Sequence, residues 1–100
     1  MPTVSVDTLF AQLQAMHDSL QNGDLDTVQG LLERHDQDVR DFMQGHGGRD
    51  AGADTLSNLL YAQLQLQDRL RDARDAAARK LRESQQAERA ARAYLSTPGG

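Results

Sequence analysis

The sequence predicts an all-α chain: an antiparallel three-helix bundle built from a short helical hairpin and a long C-terminal helix, either continuous or broken into two. Three observations carry this. Apolar residues recur at alternating three- and four-residue steps, the period of a helix that buries one face. Asn and Gly stand where those series stop. The two prolines, Pro2 and Pro98, lie at the ends, so the rest of the chain lacks the strongest helix breaker.

The first series is Val6, Leu9, Leu13, Met16 and Leu20, with Phe10 on its flank. It predicts a helix over 6–22. Ser5 or Asp7 is placed to accept a hydrogen bond from a first-turn amide. Asn22-Gly23 closes it, since both residues tolerate the left-handed backbone of a C-cap.

Asp24 restarts the chain as an N-cap, and Asp26 adds negative charge at the positive end of the second helix dipole. Val28, Leu31/Leu32, His35, Val39 and Phe42/Met43 repeat the helical period over 24–44. So short a break between two amphipathic helices folds them back antiparallel. Gly30 is a weak point inside the second helix, costing about 1 kcal/mol against Ala; a close helix crossing would account for it.

Residues 45–54 hold four glycines, Gly45, Gly47, Gly48 and Gly52, and predict a flexible loop. Asp54 would cap the third helix over 55–96, a stretch with neither Gly nor Pro. At 1.5 Å per residue this helix is roughly 60 Å long, about twice the length of the hairpin's arms. Its first part carries Leu56, Leu59, Leu60, Tyr61, Leu64, Leu66 and Leu70. Beyond Leu70, only Leu81, Tyr94 and Leu95 are large and apolar. A faint stripe of Ala73, Ala77, Leu81, Ala91 and Leu95 persists. Charge pairs at i,i+4 support the helix: Arg71–Asp75, Asp75–Arg79, Arg79–Glu83 and Glu88–Arg92. This half must overhang, fold back or pack on something outside the chain. The expected core is Leu9, Leu13, Met16, Leu20, Val28, Leu32, Val39, Phe42, Leu56, Leu60 and Leu64, and residues 97–100 are expected to fray.

One hundred residues make a single domain, 1–100, with a thin core. Apolar residues are 38% of the chain and aromatics 4%, which suits a long-helix protein better than a globular one. There is no cysteine, so disulfides and thiolate metal sites are excluded. No apolar run is long enough to span a membrane, and the first residues lack the basic start and apolar core of a signal peptide. The expected location is cytoplasmic, without membrane insertion.

The net charge of -4 is unevenly spread. Residues 1–44 carry eight acids against two bases, and residues 55–100 carry eight bases against five acids. An acidic hairpin beside a basic helix explains this more simply than nucleic-acid binding. Aromatic side chains for stacking are nearly absent from that helix, and acids interleave its arginines.

The sequence argues for a non-enzyme without metal or cofactor. His17, His35 and His46 show no metal-ligand spacing. His35 lies on the apolar seam, where a hydrogen-bonded core histidine is the ordinary case. The His46-Gly47-Gly48-Arg49-Asp50 loop lacks the preceding strand and the Gly-Lys-Ser/Thr of a phosphate cradle. Asp24/Asp26 and Asp36/Asp38, two residues apart, cannot converge on one substrate by spacing alone. Three slender helices also leave little volume for a pocket.

Two stretches resemble a known family. Gln21-Asn22-Gly23-Asp24-Leu25-Asp26-Thr27-Val28, followed by Leu32-Glu33, looks like the Gly-acid-aromatic-acid turn that opens the second helix of bacterial flagellar export chaperones of the FliT type. Leu25 stands where that family often carries Trp. Arg89-Ala90-Ala91-Arg92-Ala93-Tyr94-Leu95 is similar to the Ala-Tyr ending of the family's last helix. The Gln/Leu/Arg-rich stretch from Leu60 to Arg74 is a weaker third point, and the FlgN type is a relative in style. The resemblance implies a cytoplasmic chaperone that keeps an export substrate, such as the filament cap protein, unaggregated and delivers it to the secretion apparatus.

Residues 71–96 are expected to carry partner binding or, folded back on the hairpin, to gate it. Leu81, Tyr94 and Leu95 would be the apolar anchors for an amphipathic partner helix, and Arg74, Arg82 and Arg92 the polar rim. The expected state is a monomer or weak homodimer. The alternatives are a structural coiled-coil homodimer, disfavoured by its Ala- and Ser-rich seam, and a regulatory adaptor that binds another protein.

Overall fold

The computed structural model describes residues 4–96. These residues form four helices: α1 (Val6–Gln21), α2 (Leu25–Gln44), α3 (Gly47–Ala51) and α4 (Ala53–Ser96). The molecule is elongated, 76 × 26 × 19 Å, because α4 runs on far past the hairpin of α1 and α2.

The first turn is capped by Ser5, whose hydroxyl accepts from the Thr8 amide at 3.2 Å; Asp7 sits inside the helix. At the other end, the Gly23 amide bonds the Leu20 carbonyl and the Asp24 amide reaches the Ser19 carbonyl, both at 3.0 Å. This pair is a Schellman closure, and it requires the left-handed backbone that Gly23 adopts at φ 73°. Asp24 then caps α2, accepting from the Thr27 amide at 3.1 Å and the Thr27 hydroxyl at 2.5 Å. Those two bonds hold its carboxyl below the usual range.

The expected flexible loop at 45–54 is corrected. Its middle is the short helix α3, with Gly48 buried against the Met43 side chain. A Cβ on Gly47 would stand 2.6 Å from the Phe42 ring, so the glycine there lets α3 close over the end of α2. Gly52, at φ 83°, turns the chain out of α3, and its carbonyl accepts the Leu56 amide. The last helix therefore starts at Ala53, and Asp54 lies in its first turn rather than capping it. Gly30 has open space around it, so no close crossing accounts for it. The expected fraying of 97–100 falls outside the described residues.

The buried core is Leu9, Leu13 and Met16 from α1, Val28 and Phe42 from α2, and Leu59, Leu66 and Leu70 from α4. Leu20, Leu32, Val39 and Leu56 pack at its edge, half-buried. Leu60 and Leu64, expected inside, are 56% and 50% exposed. The leucines of α4 offer two stripes at helical spacing. The hairpin takes the 59/66/70 stripe, and the 60/64 stripe lies more than a quarter-turn around the helix.

Polar bonds tie the three long helices together. His35, 1% exposed, is held between Gln12 of α1 and Gln63 of α4. Gln12 also donates to Asp38 at 2.6 Å, which Arg34 approaches at 3.6 Å. Further along, Arg69 faces His17 at 3.4 Å and Arg74 donates to Gln29 at 2.9 Å.

Candidate functional site: the projecting half of α4

The hairpin ends beside Ala73, Ala76 and Ala77. From Ala77 to Ser96 every residue of α4 is exposed. Those twenty residues project about 30 Å at the rise of an α-helix. The segment holds its shape by local means: Ala, Gln, Arg and Glu are strong helix formers, and Glu88 accepts from Arg92 at 2.5 Å one turn on. Of the four expected i,i+4 pairs, Glu88–Arg92 is formed, whereas Arg71 pairs instead with Asp68.

The projecting half exposes large apolar groups that the rest of the chain does not cover. Leu81 is 59% exposed, Tyr94 83% and Leu95 81%. Arg82 and Arg92 are also exposed on this half. Arg74 is different, because its bond to Gln29 ties it to the hairpin just before α4 emerges. The six expected site residues thus lie along one helix and do not converge on a pocket.

Two features were not anticipated. Leu60, Tyr61 and Leu64 form a second apolar patch, on the face of α4 that the hairpin leaves open. Leu60 and Leu64 stand at i,i+4, a spacing that the core face of α4 shares at Leu66/Leu70, so the pattern alone does not tell the two faces apart. The second feature is a notch of ≈ 320 Å³ where α4 leaves the hairpin, lined by Leu20, Gly23, Leu25, Ala73, Ala76, Ala77 and Lys80.

The groups with perturbed protonation lie elsewhere. Burial, outweighing the charges of Asp36 and Asp38, pushes the His35 imidazole below its ordinary value. The Gln63 amide donates to its Nε2, which leaves the proton on Nδ1, donated to the Gln12 carbonyl oxygen. A small cavity of ≈ 140 Å³ adjoins the ring, lined by Leu13, Leu32, Asp36, Gln63, Leu66 and Gln67. His17 is also pushed down, by partial burial and then by the Arg69 guanidinium. Among the described residues no three His, Asp or Glu side chains gather as metal ligands would. No helix among those residues is long and apolar enough to cross a membrane.

No protein-family model, curated protein or solved structure matches this chain.

Proposed function

We propose that this is a non-enzymatic helical protein that binds another protein through the projecting half of α4. The observation that carries the reading is the exposure of Leu81, Tyr94 and Leu95 on twenty residues with no intrachain cover. Large apolar groups left in water along an otherwise charged helix mark an interaction surface. An amphipathic helix of the partner would supply matching anchors at i, i+3, i+4 and i+7. Arg82 and Arg92 would meet acids at its rim. The hairpin and the first half of α4, taken as an antiparallel three-helix bundle, hold the emerging helix in place.

The specific form of this proposal is a cytoplasmic export chaperone that shields a flagellar secretion substrate such as the filament cap protein. It rests on the Asn22-Gly23-Asp24 turn and the Ala93-Tyr94 ending. The turn has a structural role here, as the closure of α1 and the cap of α2.

The test compares the full chain with a deletion of residues 77–100 and with the double variant Leu81→Glu/Leu95→Glu. Each is titrated with filament cap protein and used to retain partners from a bacterial cytoplasm. A protein retained by the full chain and lost by both variants supports the reading. Equal retention by all three removes the projecting helix from recognition. Failure of the filament cap protein alone removes only the flagellar form.

A further inference from the structure

We infer that the partner of the projecting half of α4 presents an acidic amphipathic helix, with leucine-sized side chains along its face and carboxylates along its edges. The inference rests on the reading of that half as the binding surface and adds the chemistry of what binds there.

Residues 77–96 carry five bases, Arg79, Lys80, Arg82, Arg89 and Arg92, against two acids, Glu83 and Glu88. All seven are exposed. Their placement around the helix matters more than their number. An α-helix turns about 100° per residue, so Leu81 and Leu95, fourteen residues apart, share one face. Arg92, Arg89 and Arg82 follow on one side of that face, within about 120° of its midline, and Lys80 lies on the other side, about 80° away. The one acid on the face, Glu88, accepts from Arg92 at 2.5 Å and is neutralised within the helix. Glu83 and Arg79 stand at the back, about 140° and 180° from the midline. The two leucines are therefore bordered by bases on both sides. Lys80, Arg82 and Arg89 have no ion pair among the described residues.

Flanking charges decide which helices pair, because opposite signs attract across the seam and like signs repel. Two copies of this segment side by side would set base against base, so the pattern selects a different chain. It also keeps that chain on the projecting half. Residues 1–44 carry eight acids against two bases, and an acidic helix is repelled by such a hairpin. From Leu81 to Leu95 the contact runs about 21 Å, the length of about four helical turns.

Two synthetic helical peptides of about twenty residues test the assignment. They share a leucine face at i, i+3, i+4 and i+7, and differ only in carrying glutamate or lysine along its edges. In fluorescence anisotropy the full chain binds the glutamate peptide about tenfold more tightly than its lysine twin, and the difference shrinks as salt rises from about 0.05 M to 0.5 M. Arg82→Glu/Arg89→Glu reverses the order of the two peptides. The charge-matched control Arg40→Glu/Arg49→Glu, at exposed positions of the bundle, keeps it. Binding of the lysine peptide by the reversed variant shows that its helix is intact. Equal binding of both peptides, or a preference for lysine, overturns the inference and leaves the partner-binding reading in place. So does a DNA duplex of matching length that binds more tightly than the glutamate peptide, which makes the segment a general polyanion site. If neither peptide binds at concentrations on the order of 0.1 mM, the inference falls, and the client reading is decided by partner retention in Leu81→Glu/Leu95→Glu.

Discussion

The side-chain amide of Gln63 donates to Nε2 of His35 at 3.0 Å, in the middle of an otherwise apolar interior. The other ring nitrogen is bonded to Gln12 at 2.8 Å, and Gln12 in turn donates to Asp38. This one row of hydrogen bonds crosses α1, α2 and α4. It depends on a neutral ring, because a proton on Nε2 would face the Gln63 amide hydrogens.

Acidification should therefore destabilise the protein. The folded chain holds His35 below its unfolded pKa, so the unfolded chain takes up a proton first as the pH falls. Stability is full above about pH 6.5 and declines as the pH drops from there toward the folded value. His17 adds in the same direction. Urea unfolding at pH 7.5 and 5.5 should give a lower midpoint at pH 5.5, and His35→Gln should shrink the difference. An unchanged difference in that variant would remove His35 from the explanation.

Truncation of α4 should separate its two leucine stripes. Leu66→Ala opens a void beside Leu13 and His35 and should cost about 2–5 kcal/mol. Leu60→Ala and Leu64→Ala remove half-exposed side chains and should each cost less than about 1 kcal/mol. Leu81→Ala should be near zero in dilute protein. Chemical denaturation of the four variants orders them, and equal losses at Leu60 and Leu66 would contradict the observed face.

Three glycines should respond differently to alanine. Gly30 sits exposed inside α2 with open space around it, so Gly30→Ala should stabilise by about 1 kcal/mol. Gly23→Ala forces a Cβ into the left-handed backbone of the α1–α2 turn and should cost about 1–2 kcal/mol. Gly47→Ala drives a Cβ into the Phe42 ring and should lower the melting temperature by loosening α3 from α2. Thermal melts of the three decide the signs.

The cap at Asp24 should be sensitive to substitution and to strong acid. Asp24→Ala removes the acceptor for the Thr27 amide and should lower the melting temperature. Its folded pKa is depressed, so its contribution is present above the unfolded value, near 3.9, and fades as the pH falls through the folded one. Asp24→Asn, which still accepts a hydrogen bond, should retain most of the stability and lose that acid dependence. Melts at pH 7 and pH 3 check both statements.

The sequence by itself determined what depends on neighbours along the chain. The helical periods, the Gly23 closure, the Asp24 cap and a first cap at Ser5 or Asp7 each follow from residues within about one turn of one another, whereas the choice of Ser5 and the unbroken course of α4 are read from the structure. The burial of His35 was also legible, since one apolar series runs through it. Tertiary structure decided what depends on which surfaces meet. Leu56/Leu60/Leu64 and Leu59/Leu66/Leu70 are both valid helical stripes, and only the position of the hairpin selects the second. The glycines at 47 and 48 read as a loop because their propensity is poor. In the structure both lie in a short helix packed on Phe42 and Met43: a Cβ at 47 would stand 2.6 Å from the Phe42 ring, while one at 48 would press only on the end of the Met43 side chain. The exposure of Leu81, Tyr94 and Leu95 has the same origin, since α4 is longer than the hairpin beneath it and no intrachain surface reaches its second half.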